Sequence, residues 1–316
     1  MNKNFEIEVV DLVKKYKELV AVDHLNLSVY ENEIFGLLGP NGSGKSTLIN
    51  CILALLRYDQ GKVYIFGEEM TATSFKIKQK IGYVPQDIAV YEELTVQENI
   101  DYFCGLYIFD KHQRKQHVDE AIDFTGLDKF RKFVPSKLSG GLLRRLNLAC
   151  GIAHKPKLIF LDEPTVAVDP QSRNRILEGI EDLRKQGSTI VYTTHYMEEV
   201  EMLCDRLVIL DQGQVLVTGS SEEIISNSSL AQSIDVVIFD LTDSVLNILE
   251  QEPEISHLTY QDAKLSFKTN SNRYTLLDLL NLLEEHNLKP VSVSSEKPTL
   301  NDVFLEITGK ELKDNV

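Results

Sequence analysis

The sequence predicts an α/β protein whose larger part is a mostly parallel sheet covered by helices on both faces. Four continuous apolar runs are typical of strands that are buried on both sides. They cover residues 34–38, 158–161, 189–192 and 207–210. Between the runs, apolar residues recur at helical spacing, as they do over residues 173–185. Buried strands that alternate with helices form parallel sheets, so both observations predict the same architecture.

A helical insertion and a second, smaller domain complete the predicted organisation. Residues 95–152 have a mainly helical pattern and would form the insertion. Over residues 219–230 the chain becomes polar and rich in serine, which marks a domain boundary. We therefore expect a large domain over residues 1–222, a linker over residues 223–232 and an accessory domain over residues 233–316.

The accessory domain has its own order of predicted elements. These are a strand, a helix, a β-hairpin, a second helix and a short strand. They cover residues 233–241, 244–251, 255–269, 275–286 and 291–293. The resulting β-α-β-β-α-β order is the pattern of a small ferredoxin-like α+β fold. A last helix begins after Pro298, where Thr299 and Asp302 can form a capping box.

Composition limits the classes of function. The 316 residues include 33 basic and 48 acidic side chains, a net charge of -15 that argues against a nucleic-acid-binding protein. The four cysteines are well separated, so a zinc or redox motif is not expected. Residues 1–16 lack the apolar core of a signal peptide, and no stretch reaches the roughly 18 apolar residues of a membrane span. Any role at a membrane is therefore expected at its surface.

A glycine-rich phosphate-binding loop lies between the first buried strand and a predicted helix. Residues 39–46 match G-x-x-x-x-G-K-[ST], in which glycines let backbone N–H groups surround phosphate oxygens. The following helix directs its positive end at the same anion. Lys45 supplies a cation to the β and γ phosphates, and the Ser46 hydroxyl is the expected Mg²⁺ ligand. The predicted phosphate-binding residues are Gly39, Pro40, Asn41, Gly42, Ser43, Gly44, Lys45, Ser46 and Thr47.

Two carboxylates follow directly after the apolar run at residues 158–161. The carboxyl ends of strands in open α/β sheets border the ligand crevice. Asp162 is placed to hold Mg²⁺, directly or through water, and Glu163 is placed to act as general base on an attacking water. An acidic turn after a strand explains the pair equally well when it is taken alone. The complete phosphate loop favours the catalytic interpretation.

A further set of motifs carries a family resemblance. Residues 138–141 read Leu-Ser-Gly-Gly and precede the acidic strand end, where they resemble the signature of the ATP-binding cassette (ABC) family. Members of this family energise the transporters of that name. The remaining family motifs occur in order at Tyr16, Gln86, Asp169 and His195. The resemblance covers about residues 6–223 and implies a P-loop NTPase fold with an α-helical insertion.

The resemblance implies an ATPase that uses ATP and Mg²⁺ and releases ADP and phosphate. In the family, an aromatic residue at the position of Tyr16 stacks on adenine, Gln86 belongs to the glutamine loop, and His195 is the switch histidine. The implied catalytic residues are Glu163, His195 and Gln86. The implied Mg²⁺ ligands are Ser46, Gln86 and Asp162.

The resemblance also implies partners. Two cassettes of the family face each other head to tail, so that Ser139, Gly140 and Gly141 of one copy would grip the γ-phosphate bound by the other. Asp169 would lie in the loop at this dimer interface. The expected partners are therefore a second copy or a close relative, together with an integral membrane permease that contacts the helical insertion. The chain would lie at the cytoplasmic face of the membrane, and no nucleic acid is expected.

Two positions depart from the family pattern, and the tail indicates a subtype. Leu142 stands where relatives have Gln or Met, and Ala167 stands where they often have Gly. Residues 298–309 resemble the C-terminal stretch of bacterial cassettes that serve drug, antibiotic or polymer exporters. A transporter ATPase is therefore favoured. The alternatives are a soluble cassette ATPase acting on nucleic acid or the ribosome, and a regulatory protein with a degenerate cassette.

Overall fold

The computed structural model describes residues 4–228, 230–269 and 274–309. The predicted domains and linker extend over some positions outside these described residues, namely 1–3, 229, 270–273 and 310–316. The described chain divides into two compact units, one that ends at Ser221 and one that runs from Glu222 to Gly309.

Strands and helices alternate through most of the first unit. Its described strands are β1 (Phe5–Tyr16), β2 (Leu19–Tyr30), β3 (Ile34–Leu38), β4 (Gln60–Ile65), β5 (Glu68–Glu69), β6 (Ile81–Val84), β7 (Leu158–Asp162), β8 (Thr189–Thr193), β9 (Arg206–Asp211) and β10 (Gln214–Gly219). Its described helices are α1 (Lys45–Ile52), α2 (Phe75–Lys78), α3 (Val96–Gly105), α4 (Lys111–Phe124), α5 (Gly140–Ile152), α6 (Pro170–Lys185) and α7 (Met197–Leu203).

The central sheet has the strand order β10-β9-β3-β8-β7-β6. All neighbours from β9 to β6 pair in parallel, and only β10 pairs antiparallel, with β9. Side chains alternate along β7, so that Phe160 packs in one hydrophobic core and Ile159 in the other, on the opposite face. Two covered faces explain why the central strands are apolar without interruption. The mostly parallel sheet predicted from the sequence is present.

A second, antiparallel sheet in the first unit has the order β2-β1-β4-β5. The buried side chains of β1 and β2, such as Ile7 and Val29, share one hydrophobic core with Phe35 of the central sheet and Leu48 of α1. The sequence analysis did not predict this sheet. It matters for function because β2 lies against the glycine-rich loop, as described below.

Residues 96–152 are mainly helical, with α3, α4 and α5 and two short 3₁₀ helices at Asp128–Phe130 and Pro135–Lys137. The three helices enclose a hydrophobic core of their own. A capping box begins α3, because Thr95 accepts a hydrogen bond from the Glu98 amide while the Glu98 carboxylate accepts one from the Thr95 amide.

The second unit contains an antiparallel sheet and three longer helices in its described residues. Its elements are α8 (Ser221–Ser226), β11 (Gln232–Val237), α9 (Asp243–Gln251), β12 (Ile255–Gln261), β13 (Lys264–Thr269), α10 (Leu276–Glu285), β14 (Ser292–Glu296) and α11 (Leu300–Thr308). From β11 to β14 the elements follow the predicted β-α-β-β-α-β order, and the sheet order is β12-β13-β11-β14. Apolar side chains of α9 and α10, such as Val245 and Leu279, share a core with Ile234 and Phe267 of the sheet.

Element bounds in this region differ from the expected ones at two places. The predicted linker over residues 223–232 contains most of α8, and β11 ends at Val237 although the alternation continues to residue 241. The helix α8 is short and polar, so its sequence is hard to distinguish from a loop. None of the helices in the described ranges is long and apolar enough to cross a membrane.

Candidate nucleotide site

The glycine-rich loop joins the end of β3 to the start of α1. Gly44 precedes α1 with a φ of +105°, and a Cβ atom there would lie 2.3 Å from the backbone oxygen of Ala21 on β2. Only glycine fits this close approach without strain. The Lys45 ammonium donates hydrogen bonds to the backbone oxygens of Gly39 at 2.7 Å and Pro40 at 3.2 Å. The loop is therefore held in a closed curve by its own lysine and by the neighbouring sheet.

The start of α1 is suited to bind an anion. Its N-cap residue, Gly44, makes no side-chain capping hydrogen bond, and the first turn holds no acidic residue. The first amides of such a helix have no partner within the helix and carry the positive end of its dipole. Among the described residues, the Ser43 hydroxyl is buried in the same loop without a hydrogen-bond partner. These groups fit the phosphates of a nucleotide.

An open cleft of about 650 Å³ lies over this loop. It brings together the predicted residues Tyr16, Gln86 and Glu163 with loop residues 41–47. Leu19, Val20, Ala21 and Gln212 also line the cleft and were not predicted, because their place depends on the antiparallel sheet and on the turn between β9 and β10. Residue Tyr16 is 46% exposed and borders the cleft, so its ring is placed to stack on a planar group.

The acidic pair at the end of β7 meets the end of β8. Thr193 donates a hydrogen bond from its hydroxyl to the Asp162 carboxylate at 2.6 Å and accepts one from the Glu163 amide at 2.9 Å. Glu163 adopts a left-handed backbone conformation, with a φ of +48°. The two consecutive carboxylates are placed differently: both residues are largely buried, at 9% and 5% exposed, but Glu163 lines the cleft and Asp162 does not.

The two carboxylates differ in their protonation tendencies. The nearby His195 imidazole lowers the pKa of Glu163 most strongly, with Lys45 and Arg144 acting in the same direction against the effect of burial. Burial raises the pKa of Asp162, against the hydrogen bond from Thr193. Neighbouring groups whose pKa values are driven apart suit different roles in one site. Glu163 therefore favours its ionised form, whereas burial favours the protonated form of Asp162, an effect that a bound cation would offset.

Glu163 is also held by hydrogen bonding and by proximity to the predicted histidine. Gln86 donates a hydrogen bond from its side-chain nitrogen to Glu163 Oε2 at 2.9 Å. The Nδ1 atom of His195 lies 3.7 Å from Glu163 Oε1. The structure therefore places Gln86, Glu163 and His195 around one point at the edge of the cleft.

The donor atoms predicted to bind Mg²⁺ are of the type that this ion prefers. Mg²⁺ prefers oxygen ligands and is usually held by one or two carboxylates together with substrate phosphates. The predicted ligands Ser46, Gln86 and Asp162 offer a hydroxyl, an amide and a buried carboxylate. Across the described ranges, no group of three or more His, Cys, Asp or Glu side chains is arranged to bind a metal. Protein ligands of this kind suit a metal that arrives with a nucleotide.

The Gln86 loop is fastened to helix α5 at three points. The Arg144 guanidinium donates a hydrogen bond to the backbone oxygen of Gln86. The Asn147 side chain donates to the Pro85 oxygen at 3.1 Å and accepts from the Ala89 amide at 3.0 Å. Sequence analysis missed Arg144 and Asn147. The two residues are three apart on one face of α5, and this spacing was the available signal. It did not reveal the contact, because the loop that they bind is 58 residues away in the sequence.

The predicted signature residues lie at the start of α5 and do not line the cleft. Ser139 is the N-cap of α5 and accepts a hydrogen bond from the Leu142 amide at 3.4 Å. Gly141 lies against Asp169, since a Cβ atom at Gly141 would be 2.8 Å from the Asp169 carboxylate. Asp169 in turn caps α6 by accepting from the Ser172 amide at 3.0 Å, a bond that lowers the pKa of Asp169. Ser139, Gly140 and Gly141 are thus separate from the Lys45 loop within one chain.

Comparison with known proteins gives consistent matches. The family model described as "ABC transporter" matches residues 22–166. The chain is 34% identical to the linearmycin resistance ATP-binding protein LnrL of Bacillus subtilis (strain 168), over 98% of this chain and 100% of that protein. It is also 34% identical to the daunorubicin/doxorubicin resistance ATP-binding protein DrrA of Streptomyces peucetius, over 98% of this chain and 94% of that protein.

Solved structures match part of the chain. A structure described as the dimeric, post-hydrolysis state of the ATP-binding cassette MJ0796 with ADP and Pi is 28% identical, with a TM-score of 0.63. The match covers 68% of this chain and 98% of that one. The motifs, the cleft and these matches agree, and the chain belongs to the ABC transporter family, among its ATP-binding proteins.

Proposed function

We propose that this chain is the ATP-hydrolysing subunit of an ABC exporter and that its cleft is the ATPase site. The observation that carries the proposal is the position of Glu163. Its carboxylate borders the cleft over the Lys45 loop, accepts a hydrogen bond from Gln86 and lies 3.7 Å from His195. A carboxylate that stays ionised beside a phosphate-binding loop is placed to accept a proton from an attacking water.

The proposed reaction is an in-line displacement at the γ-phosphate. The loop amides and Lys45 hold the triphosphate, and Tyr16 stacks on the adenine ring. Gln86 and His195 orient the attacking water and the Glu163 carboxylate, which accepts the water proton. The water oxygen forms a bond to the γ-phosphorus, the bond from that phosphorus to the β-γ bridging oxygen breaks, and ADP and phosphate leave. Mg²⁺, when bound to Asp162, Ser46 and Gln86, supplies positive charge to the phosphates.

Two copies, or this chain and a close relative, are proposed to complete each site. Ser139, Gly140 and Gly141 lie outside the cleft of their own chain, yet the free amides at the start of α5 suit a phosphate. In a head-to-tail pair they would reach the γ-phosphate bound by the partner, and Asp169, beside Gly141, would border the interface. The dimeric state described for MJ0796 supports this arrangement. ATP then bridges the subunits, and hydrolysis lets the pair open.

A membrane permease is the proposed second partner. An apolar groove of about 300 Å³ lies beside the Gln86 loop, between the first helix and the helical insertion. Its lining includes Leu55 and Leu106, which are 61% and 51% exposed. Exposed apolar side chains around a groove mark an interaction surface. Through it the chain would associate with the membrane at its cytoplasmic face, and the second unit would act as an accessory domain.

Export of an antibiotic-like compound is the proposed use of the energy. The relatives from Bacillus subtilis and Streptomyces peucetius are named for resistance to linearmycin and to daunorubicin and doxorubicin. A third, of Sinorhizobium fredii (strain NBRC 101917 / NGR234), is named a Nod factor export ATP-binding protein and is 34% identical over 98% of this chain and 87% of that protein.

The proposal is tested by measuring phosphate release and by identifying the bound partner. The purified chain is expected to hydrolyse ATP with Mg²⁺ and to stop when the metal is chelated. An affinity-tagged chain, extracted with detergent from membranes of its own cells, is expected to bring down a protein with several membrane spans. If ribosomes or nucleic acid are recovered instead of a membrane protein, and if high salt removes them, the result would favour the soluble-cassette alternative.

A further inference from the structure

A fully buried carboxylate lies behind the candidate site. Glu199, on α7, is 0% exposed, although charged side chains are rarely buried without partners. Its carboxylate accepts four hydrogen bonds. The donors and distances are Tyr192 Oη at 2.7 Å, Thr194 Oγ1 at 2.6 Å, Thr165 Oγ1 at 3.1 Å and Arg173 Nε at 2.7 Å. The desolvation of this charge is therefore offset by one guanidinium and three hydroxyl donors.

Two of the four donors belong to the two loops that carry the proposed catalytic groups. Thr165 lies in the loop of residues 163–169, which begins with Glu163 and ends with Asp169. Thr194 directly precedes His195. Neither loop is a regular strand or helix over these positions, and the hydrogen bonds to Glu199 contribute to holding both loops in place. Glu199 is a common acceptor for both.

The remaining two donors connect the Glu199 carboxylate to a strand and to a helix. Tyr192 belongs to the central strand β8 and is itself fully buried. Arg173 belongs to α6, the helix that Asp169 caps, and its guanidinium also lies 4.4 Å from the centre of the Tyr196 ring. A strand, a helix and two loops therefore share one charged acceptor. This arrangement restricts the relative positions of the four elements more than four separate hydrogen bonds would.

We propose that Glu199 is a positioning residue for ATP hydrolysis, which fixes the loop of Glu163 and the loop of His195 relative to each other. The inference rests on the proposed ATPase function, because it assumes that these two side chains act together on one water. Their atoms are 3.7 Å apart, so a small shift of either loop changes the geometry of attack. Shifts of about 1 Å can slow a reaction about 100-fold. Binding of the triphosphate, which depends on the Lys45 loop, does not require this alignment.

The test compares turnover with nucleotide binding in Glu199→Gln. This change keeps the shape of the side chain and removes its charge, so that Arg173 loses its nearer carboxylate partner and one acceptor atom becomes a donor. We expect kcat for ATP hydrolysis to fall about 10-fold to 100-fold, with the ATP dissociation constant within about threefold of the parent value. A purely structural role would lower the melting temperature and the fraction of folded protein, but leave kcat per ATP-binding site unchanged.

Glu198→Gln is the matched control. Its carboxylate is adjacent in sequence, 87% exposed and 3.7 Å from the same Arg173, and we expect turnover within about twofold of the parent. The same assay tests the proposed function itself: the parent chain should hydrolyse ATP, and Glu163→Gln should not. If both hold while Glu199→Gln keeps the parent kcat, the positioning role is refuted and the proposed function stands.

Two milder variants decide the question if Glu199→Gln does not fold. Thr165→Val and Thr194→Val each remove one hydroxyl donor and release one loop from the shared acceptor, with similar side-chain volume. We expect each to lower kcat by about tenfold with little change in ATP affinity, as the loss of one hydrogen bond to a charged group would. Parent-like kcat in both variants would overturn the inference.

Discussion

Replacing Glu163 by glutamine changes the charge of the proposed catalytic base and little else. The Gln86 side chain now donates to Glu163 Oε2 at 2.9 Å, and an amide oxygen can accept the same bond. The left-handed backbone at residue 163 is held by two hydrogen bonds from its amide to Thr193, which do not involve the side chain. We therefore expect Glu163→Gln to fold normally and to keep the shape of the cleft.

The expected effects on binding and on turnover have opposite directions. Loss of a positioned general base costs about 10²-fold to 10⁴-fold in rate, or about 2.7–5.5 kcal/mol in the activation barrier. Loss of a negative charge near the triphosphate removes repulsion. Two unit charges about 8 Å apart interact by about 2 kcal/mol at an effective dielectric constant of about 20. ATP should therefore bind as tightly as in the parent or up to about 30-fold more tightly.

The assay measures both quantities on one preparation. Phosphate release gives kcat, equilibrium binding of a fluorescent ATP analogue gives the dissociation constant, and light scattering with ATP gives the mass. We expect kcat to fall at least about 100-fold while the mass shifts to that of a pair, because the ATP bridge is no longer removed. Glu178→Gln, an exposed glutamate on α6, is the control and should match the parent. Parent-like turnover in Glu163→Gln would refute the assigned role of Glu163.

Two further predictions concern the neighbouring residues. Lys45→Ala removes the cation of the phosphate loop. We expect this variant to bind ATP about 10³-fold more weakly, because a charge pair at about 4 Å is worth about 4 kcal/mol at an effective dielectric constant of about 20. Lys62→Ala is the control, and equal dissociation constants for the two variants would contradict the phosphate-loop assignment. His195→Ala removes the strongest influence that lowers the pKa of Glu163, while burial still raises it. A general base must be ionised, so activity is lost as the pH falls through its pKa. We therefore expect the acid limb of the kcat profile to move to higher pH in His195→Ala. An unchanged midpoint of this limb would contradict the effect of His195 on the pKa of Glu163.

Local sequence was sufficient to predict the parallel strands and the phosphate loop. Strand β3 ends in the loop and α1 begins at Lys45, as expected, because both signals lie within about 20 neighbouring residues. Asp162 and Glu163 were also placed correctly at the end of β7, since consecutive residues after a buried strand share its position at the sheet edge.

The antiparallel sheet was missed because its pattern is irregular. Register shifts interrupt the pairing of β1 with β2 between Val9 and Leu12 and again around Lys14, so apolar and charged residues do not alternate along the strand. Each bulge moves the following side chains to the other face. The consequence for function is that Val20 and Ala21, which line the cleft, could not be identified in advance.

Residues that act through distant contacts were also invisible in the sequence. Arg144 and Asn147 read as ordinary members of a helix until the Gln86 loop is placed against them. Glu199 reads as one of several acidic residues on a short helix, although it is the one that is fully buried. Such roles depend on which elements the fold brings together, and periodicity carries no information about that choice.

The structure of Glu163→Gln with ATP and Mg²⁺ tests the central claim most directly. We expect a pair of copies in which each triphosphate lies on the Lys45 loop of one subunit and within hydrogen-bond distance of the Ser139 hydroxyl of the other. A triphosphate bound elsewhere, or a closed pair in which Ser139 is remote from every phosphate, would contradict it.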